Sequence, residues 1–228
     1  MNRAVLILGM HRSGTSSLTG ILEKAGLYLG NVSKENAHNP KGNQENPRIM
    51  RLHESLFLNS GGTWDNPPET ILWSDEPKKE RDDILREYLH APLWGFKDPR
   101  TVLVLNGWLE VLSNVSFVGT FRHPVSVALS LARRNGFSFT KSFRLWKFYN
   151  EKLLQYHEQY GFPMVSFDLP LDAYEEKVKR LCLMLELAIQ NKAFEFFDNS
   201  LRHTVDVSDD HVPKDVLALY RKMEESAL

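Results

Sequence analysis

The chain has 228 residues, a formal net charge of −1 with acidic and basic residues interspersed, and one cysteine, Cys182. Such a length supports one sizeable core, so residues 1–228 read as a single domain. The near-neutral balance creates no global field for nucleic acid or an anionic membrane, and a lone cysteine excludes an intrachain disulfide framework and a multi-cysteine metal site.

"AVLIL" at 4–8 is the first predicted strand, and the apolar run around it is too short for a signal peptide or a membrane span. A soluble, cytoplasmic chain is the expectation. The strand feeds Gly9, and Gly14 opens a helix whose Leu18, Ile21, Leu22 and Ala25 pack back on the sheet. Gly9 to Gly14 has the spacing of a phosphate cradle, in which successive backbone N–H groups and the helix N-terminus form an anion nest. Its candidate binding set is Gly9, His11, Arg12, Ser13, Gly14, Thr15 and Ser16. A Walker loop carries lysine immediately after the second glycine, where this chain has Thr15; the positive charge here is Arg12, two residues before that glycine.

Residues 30–47 and 60–77 are rich in Gly, Asn and Pro and read as long ligand-holding loops. Between them "NPRIMRLHESLF" is a helix beginning near Pro47. "GGTWDNPPE" offers Trp64 and Asp65 as an acceptor wall or as the anchor of their own loop. "LWGFK" at 93–97 is the second strand and ends in Lys97; "KDPR" then starts a helix at Pro99, with Asp98 and Arg100 organising the turn through a salt bridge. "SFVGTF" at 116–121 is the third strand, delivering Arg122 to the mouth of the sheet ahead of a helix with Pro124 in its first turn. From 138 to 160 an aromatic stripe including Phe139, Phe143, Trp146, Tyr149 and Tyr156 predicts a core-facing helix capped by Ser138. "FPMVSF" at 162–167 is the fourth strand. Asp172 with Glu175 resembles a capping box for another helix whose face is Tyr174, Val178, Leu181 and Leu185, with Cys182 as a buried thiol beside it. Strands alternating with helices imply a three-layer α/β fold with a central parallel sheet flanked by helices.

The loop resembles that of the sulfotransferases that use 3′-phosphoadenosine 5′-phosphosulfate (PAPS), whose basic residue followed by Ser-Gly-Thr is matched by Arg12, Ser13, Gly14 and Thr15. A second signature of that family, a strand ending in Arg with Ser eight residues later, is matched by Arg122 and Ser130 in "FVGTFRHPVSVALSLARR", with Ser126 one turn earlier. "NPKGNQEN", "WGFKDPR", "SFDLPLDAYEEKVKRLCLMLEL" and "VPKDVLALYRKMEE" follow in the order seen in bacterial members. The resemblance implies a P-loop NTPase-like fold and PAPS as cosubstrate. It implies Arg122 and Ser130 on the donor's 3′-phosphate, and Lys97 on the transferred sulfonate or the acceptor. A general base is expected shortly after the loop, with Glu45 chosen over His53 and His38 because it sits beside a helix N-terminus that keeps it ionised. No metal is formally required for this transfer, and Asp98 alone is a weak magnesium candidate. The chain lacks the glycine-rich basic loop that cytosolic small-molecule sulfotransferases carry near the C-terminus. The acceptor is left open among glycan, lipid, peptide and small metabolite. Two rival readings are a P-loop small-molecule kinase and a non-catalytic module that binds adenosine bisphosphate.

Overall fold

The computed structural model describes residues 2–32, 42–188 and 209–228. Four strands and eight helices occur among them: β1 (Arg3–Leu8), α1 (Thr15–Lys24), α2 (Pro47–Asn59), α3 (Asp75–Arg86), β2 (Leu93–Lys97), α4 (Thr101–Leu109), β3 (Val115–Phe121), α5 (Pro124–Asn135), α6 (Phe139–Tyr160), β4 (Met164–Ser166), α7 (Leu171–Met184) and α8 (Lys214–Ser226). Every strand pair is parallel and the order is β2-β1-β3-β4. β2 pairs with one side of β1 and β3 with the other, so the direction of winding reverses at β1, where open α/β sheets form their ligand crevice beyond the carboxyl ends of the strands.

The sheet is covered on both faces, which is why its strands are nearly continuous apolar runs. Val5 and Ile7 of β1, with Val118 and Val165, pack against Leu18, Ile21 and Leu22 of α1 and Tyr174, Val178 and Leu181 of α7. Cys182 is buried in that layer, as expected. The alternate residues Ala4, Leu6 and Leu8 belong to the opposite layer with Leu56 of α2, Trp108 of α4, Trp146 and Tyr149 of α6, and Met223 of α8. No helix among the described residues is long and apolar enough to cross a membrane.

α6 follows the predicted span, beginning behind Ser138, whose Oγ accepts from Lys141 N at 3.2 Å, and ending at Gly161 in the left-handed region at φ 66°. Replacing Ser138 by Ala should lower stability by about 1 kcal/mol, a melting shift of roughly 2–4 °C. An unchanged thermal midpoint would show that the cap is idle.

Other boundaries differ for local reasons. α3 begins at Asp75, inside the stretch read as irregular, because its sequence is so polar that only Pro77, Arg81 and Ile84 are buried. α4 begins at Thr101 and not at Pro99, since Asp98 first makes its own turn, accepting Arg100 N on Oδ1 at 2.8 Å and Thr101 N on its carbonyl at 2.9 Å. The capping box is absent: α7 starts after Pro170 with no side-chain cap, and Asp172 lies within its first turn. β4 is shorter than its predicted run, although Gly119 N to Pro163 O (2.8 Å) and Phe167 N to Phe121 O (2.8 Å) continue the pairing at both ends.

Candidate active site

The loop between β1 and α1 is shaped by residues that tolerate unusual backbone. Arg12 has φ 67° and Gly14 φ 83°, both in the left-handed region, and between them Ser13 N donates to Met10 O at 3.3 Å, which folds the loop back on itself. A Cβ on Gly14 would lie 2.2 Å from the ring of Phe167, and one on Gly9 2.4 Å from the Thr120 carbonyl, so both glycines let the loop press against the ends of β3 and β4. Beneath it Ser13 Oγ is buried without a hydrogen-bond partner, while the first-turn N–H groups of α1 have no partner within the helix.

The second segment meets the first directly. Arg12 Nε donates to Ser130 Oγ at 2.7 Å, joining the loop to α5, and Ser126 is buried one turn before Ser130. Arg122 stands beside them with its Nε 3.4 Å from Asp168 Oδ1 and its guanidinium 5.4 Å from the centre of the Phe167 ring. Burial, then the charges of Arg134, Arg122 and Arg133, push the Arg12 guanidinium down to about 10. Burial also lowers Arg122, against the opposing carboxylate of Asp168. Arg12, Arg122, Arg133 and Arg134 thus crowd positive charge around this loop.

Glu45 and Lys97 are brought together from α2's leading loop and the end of β2. Lys97 Nζ lies 2.6 Å from Glu45 Oε1 and 3.1 Å from Ser16 Oγ, so one ammonium connects the carboxylate to α1. Asn46 holds this register: its Oδ1 caps α2 at Arg48 N (2.8 Å) and its amide donates to Tyr88 Oη (2.9 Å). The expected helix-end effect on Glu45 is overridden. Asn46 is the cap, and burial drives the Glu45 carboxyl upward despite the opposing charge of Lys97.

His53 is placed below the site, fully buried. Trp108 Nε1 donates to its Nε2 at 2.9 Å, which leaves the ring proton on Nδ1, 3.5 Å from Asp98 Oδ2. Burial lowers this imidazole, so it is held neutral. Asp98 in turn receives Arg100 through Oδ1 (2.8 Å) and Oδ2 (2.7 Å), and Arg100 reaches Glu54 at 2.8 Å. Burial alone would raise the Asp98 carboxyl; Arg100 and His53 outweigh it and hold the group far below the usual carboxylate range. The expected Asp98–Arg100 bridge is therefore present. His38 lies outside the described residues.

A cavity of about 210 Å³ opens among these groups, lined by Arg12, Thr15, Ser16, Glu45, Trp64, Lys97, Arg100 and Arg134 among others. Clefts of about 580 Å³ between α2 and α3 and about 570 Å³ at the far end of β3 are larger but contain none of the loop residues. His11, read as part of the phosphate set, lines the small cavity with its ring 4.4 Å from Trp64. Burial, then the charge of Arg100, pushes its imidazole down to about 3, so it is neutral at physiological pH. Trp64 stacks on Phe137 at 5.8 Å and its carbonyl accepts from Tyr149 Oη at 2.9 Å, which makes it both a cavity wall and a loop anchor.

No family model matches the sequence, and no curated protein matches it. Solved structures do resemble it. The sulfotransferase domain of the Synechococcus PCC 7002 olefin synthase superposes with a TM-score of 0.64 at 15% identity, over 98% of this chain and 94% of that one. Sulfotransferase STF9 from Mycobacterium avium gives 0.56 at 11% identity, over 99% of this chain and 76% of that one. The fold is that of the bacterial sulfotransferases.

Within this sulfotransferase fold, three site residues went unread in the sequence. Phe167 and Asp168 follow β4 and brace Gly14 and Arg122; the available signal was an aromatic and an acid immediately after a strand, at the sheet's carboxyl edge. Arg134 carried a helical signal, four residues after Ser130 on the same helix.

Proposed function

We propose that residues 1–228 form a single-domain sulfotransferase that moves a sulfuryl group from PAPS to a hydroxyl or amine, releasing adenosine 3′,5′-bisphosphate. The observation that carries this reading is the 2.7 Å bond from Arg12 to Ser130, which joins the two segments with the donor signatures among several arginines. The loop residues Gly9, Ser13, Gly14, Thr15 and Ser16 would receive the 5′-phosphosulfate, and Arg122 with Ser130 the 3′-phosphate. As the acceptor oxygen or nitrogen bonds to sulfur, its proton passes to Glu45, the bridging S–O bond breaks, and its electron pair is left on the departing phosphate. Arg12 meets that developing charge as a positioned donor. Lys97, between Glu45 and Ser16, is suited to the transferred sulfonate. The deep placement of His53 argues for a positioning role beneath Arg100.

The decisive experiment is ligand-induced stabilisation. Adenosine 3′,5′-bisphosphate should stabilise the fold without magnesium, by about 2.7 kcal/mol at a hundred times its Kd, or roughly 5–10 °C. Arg122→Ala should weaken that ligand about ten- to a hundredfold and barely affect a nucleotide lacking the 3′-phosphate. A larger shift with magnesium ATP, and no discrimination by Arg122→Ala, would transfer the assignment to a kinase.

A further inference from the structure

Among the described residues, the charged groups lining the small cavity are paired except for Arg12, which has the neutral Ser130 hydroxyl, and Arg134, which has nothing. Lys97 is spent on Glu45, and Arg100 on Asp98 and Glu54. Arg134 has no hydrogen bond or ion pair among the described residues. It is exposed at the cavity mouth, at the end of α5.

Its position on α5 sets it one turn beyond the donor signature, although its charge still reaches Arg12. Ser126, Ser130 and Arg134 recur every four residues along one face, each step about 6 Å along the axis. Ser130 meets Arg12, whereas Arg134 lies one turn farther on, lining the cavity with Glu45 and Trp64. The rim beside it is a built surface. Gly136 ends α5 at φ 68°, Phe137 stacks on Trp64, and Lys141 Nζ sits 3.8 Å over Phe137 while pairing with Asp65 at 2.5 Å. The cavity of about 210 Å³ is lined mainly by polar and charged side chains, which suits the polar head of an acceptor.

Resting on the sulfuryl-transfer reading, we propose that the acceptor is an anion: its hydroxyl or amine faces Glu45, a ring lies on Trp64, and a carboxylate, phosphate or sulfate on the same molecule is held by Arg134. A neutral acceptor would cover Arg134 and give it nothing in return. An anionic one supplies the missing counter-charge and fixes the reacting group relative to Glu45.

The test uses acceptor pairs that differ only in charge: phenyl β-glucuronide against phenyl β-glucoside, and 4-hydroxybenzoate against 4-hydroxybenzamide. Binding to the full chain is measured by titration calorimetry with and without saturating adenosine 3′,5′-bisphosphate. The anionic member of at least one pair should bind about tenfold more tightly, as a partly exposed charge-assisted contact allows, with the preference shrinking in high salt. Arg134→Ala should erase the preference and Arg134→Glu reverse it, each by a larger factor than it changes bisphosphate affinity. No preference in either pair would overturn the proposal, as would an Arg134→Ala variant that keeps the preference or loses bisphosphate affinity instead. Absence of any bisphosphate binding would refute the donor reading separately, because the titrations without nucleotide report on Arg134 alone.

Discussion

Glu45→Gln is expected to reduce turnover by about a hundredfold or more while leaving donor affinity nearly unchanged, because a positioned base commonly contributes that factor and Glu45 is not part of the phosphate loop. The substitution keeps the side chain's size and its ability to accept from Lys97, whose ammonium is 2.6 Å away in the native site. What it removes is proton affinity. The pH profile gives an independent reading. A base acts when ionised, so the rate should climb with pH through the Glu45 titration, and burial places that titration above the ordinary glutamate value of about 4.3. Lys97 opposes the upward shift, so Lys97→Met should move the acid limb to still higher pH. Turnover within a few-fold of wild type for Glu45→Gln, or an acid limb at the ordinary glutamate value, would mean that the proton goes elsewhere, to the acceptor itself or to a group outside the described residues.

Asp98→Ala should be the most destabilising single change in the site. Asp98 is wholly buried and receives three bonds from Arg100, two from the guanidinium and one from the backbone, with His53 at 3.5 Å on the same carboxylate. Removing it strands the buried Arg100 with only Glu54, and breaking a buried ion pair from one side typically costs about 3–5 kcal/mol. For a chain of this length that is a melting decrease of roughly 6–20 °C. The pH dependence has a definite direction. Because the folded-state carboxyl titrates below its unfolded value, its contribution is complete above about pH 4 and is lost as the solution is acidified through the folded value. Wild type should thus show an acid loss of stability that Asp98→Ala lacks. A variant melting within a few degrees of wild type would show that Arg100 finds adequate solvation without its partner.

The sheet was readable because its strands are buried on both faces and therefore spell short apolar runs; β2 occupies 93–97 as predicted. α6 was readable because an aromatic stripe, a serine cap and a terminal glycine all agreed. α3 was hidden by the converse: a helix that buries one arginine, one proline and one isoleucine has almost no apolar period to detect. The loop glycines announced themselves through spacing, whereas the reason each must be glycine lies in Phe167 and Thr120, far along the chain. Glu45 illustrates the limit of local reasoning. Its neighbourhood in sequence suggested a carboxylate kept ionised by a helix end; its neighbourhood in space is a desolvated pocket whose effect has the opposite sign.

Phe167 gives the fold a further property. Its ring fills the space a side chain at position 14 would need, and the same ring lies under the guanidinium of Arg122. On the proposed reading, the loop and Arg122 would thereby be set at a fixed separation, like the jaws of a gauge, and a nucleotide would be measured by the distance between its phosphates as well as by their charge. Evolution of either jaw is constrained by the other: a bulkier residue at position 14 demands a smaller one at 167, and that exchange withdraws the surface on which Arg122 rests.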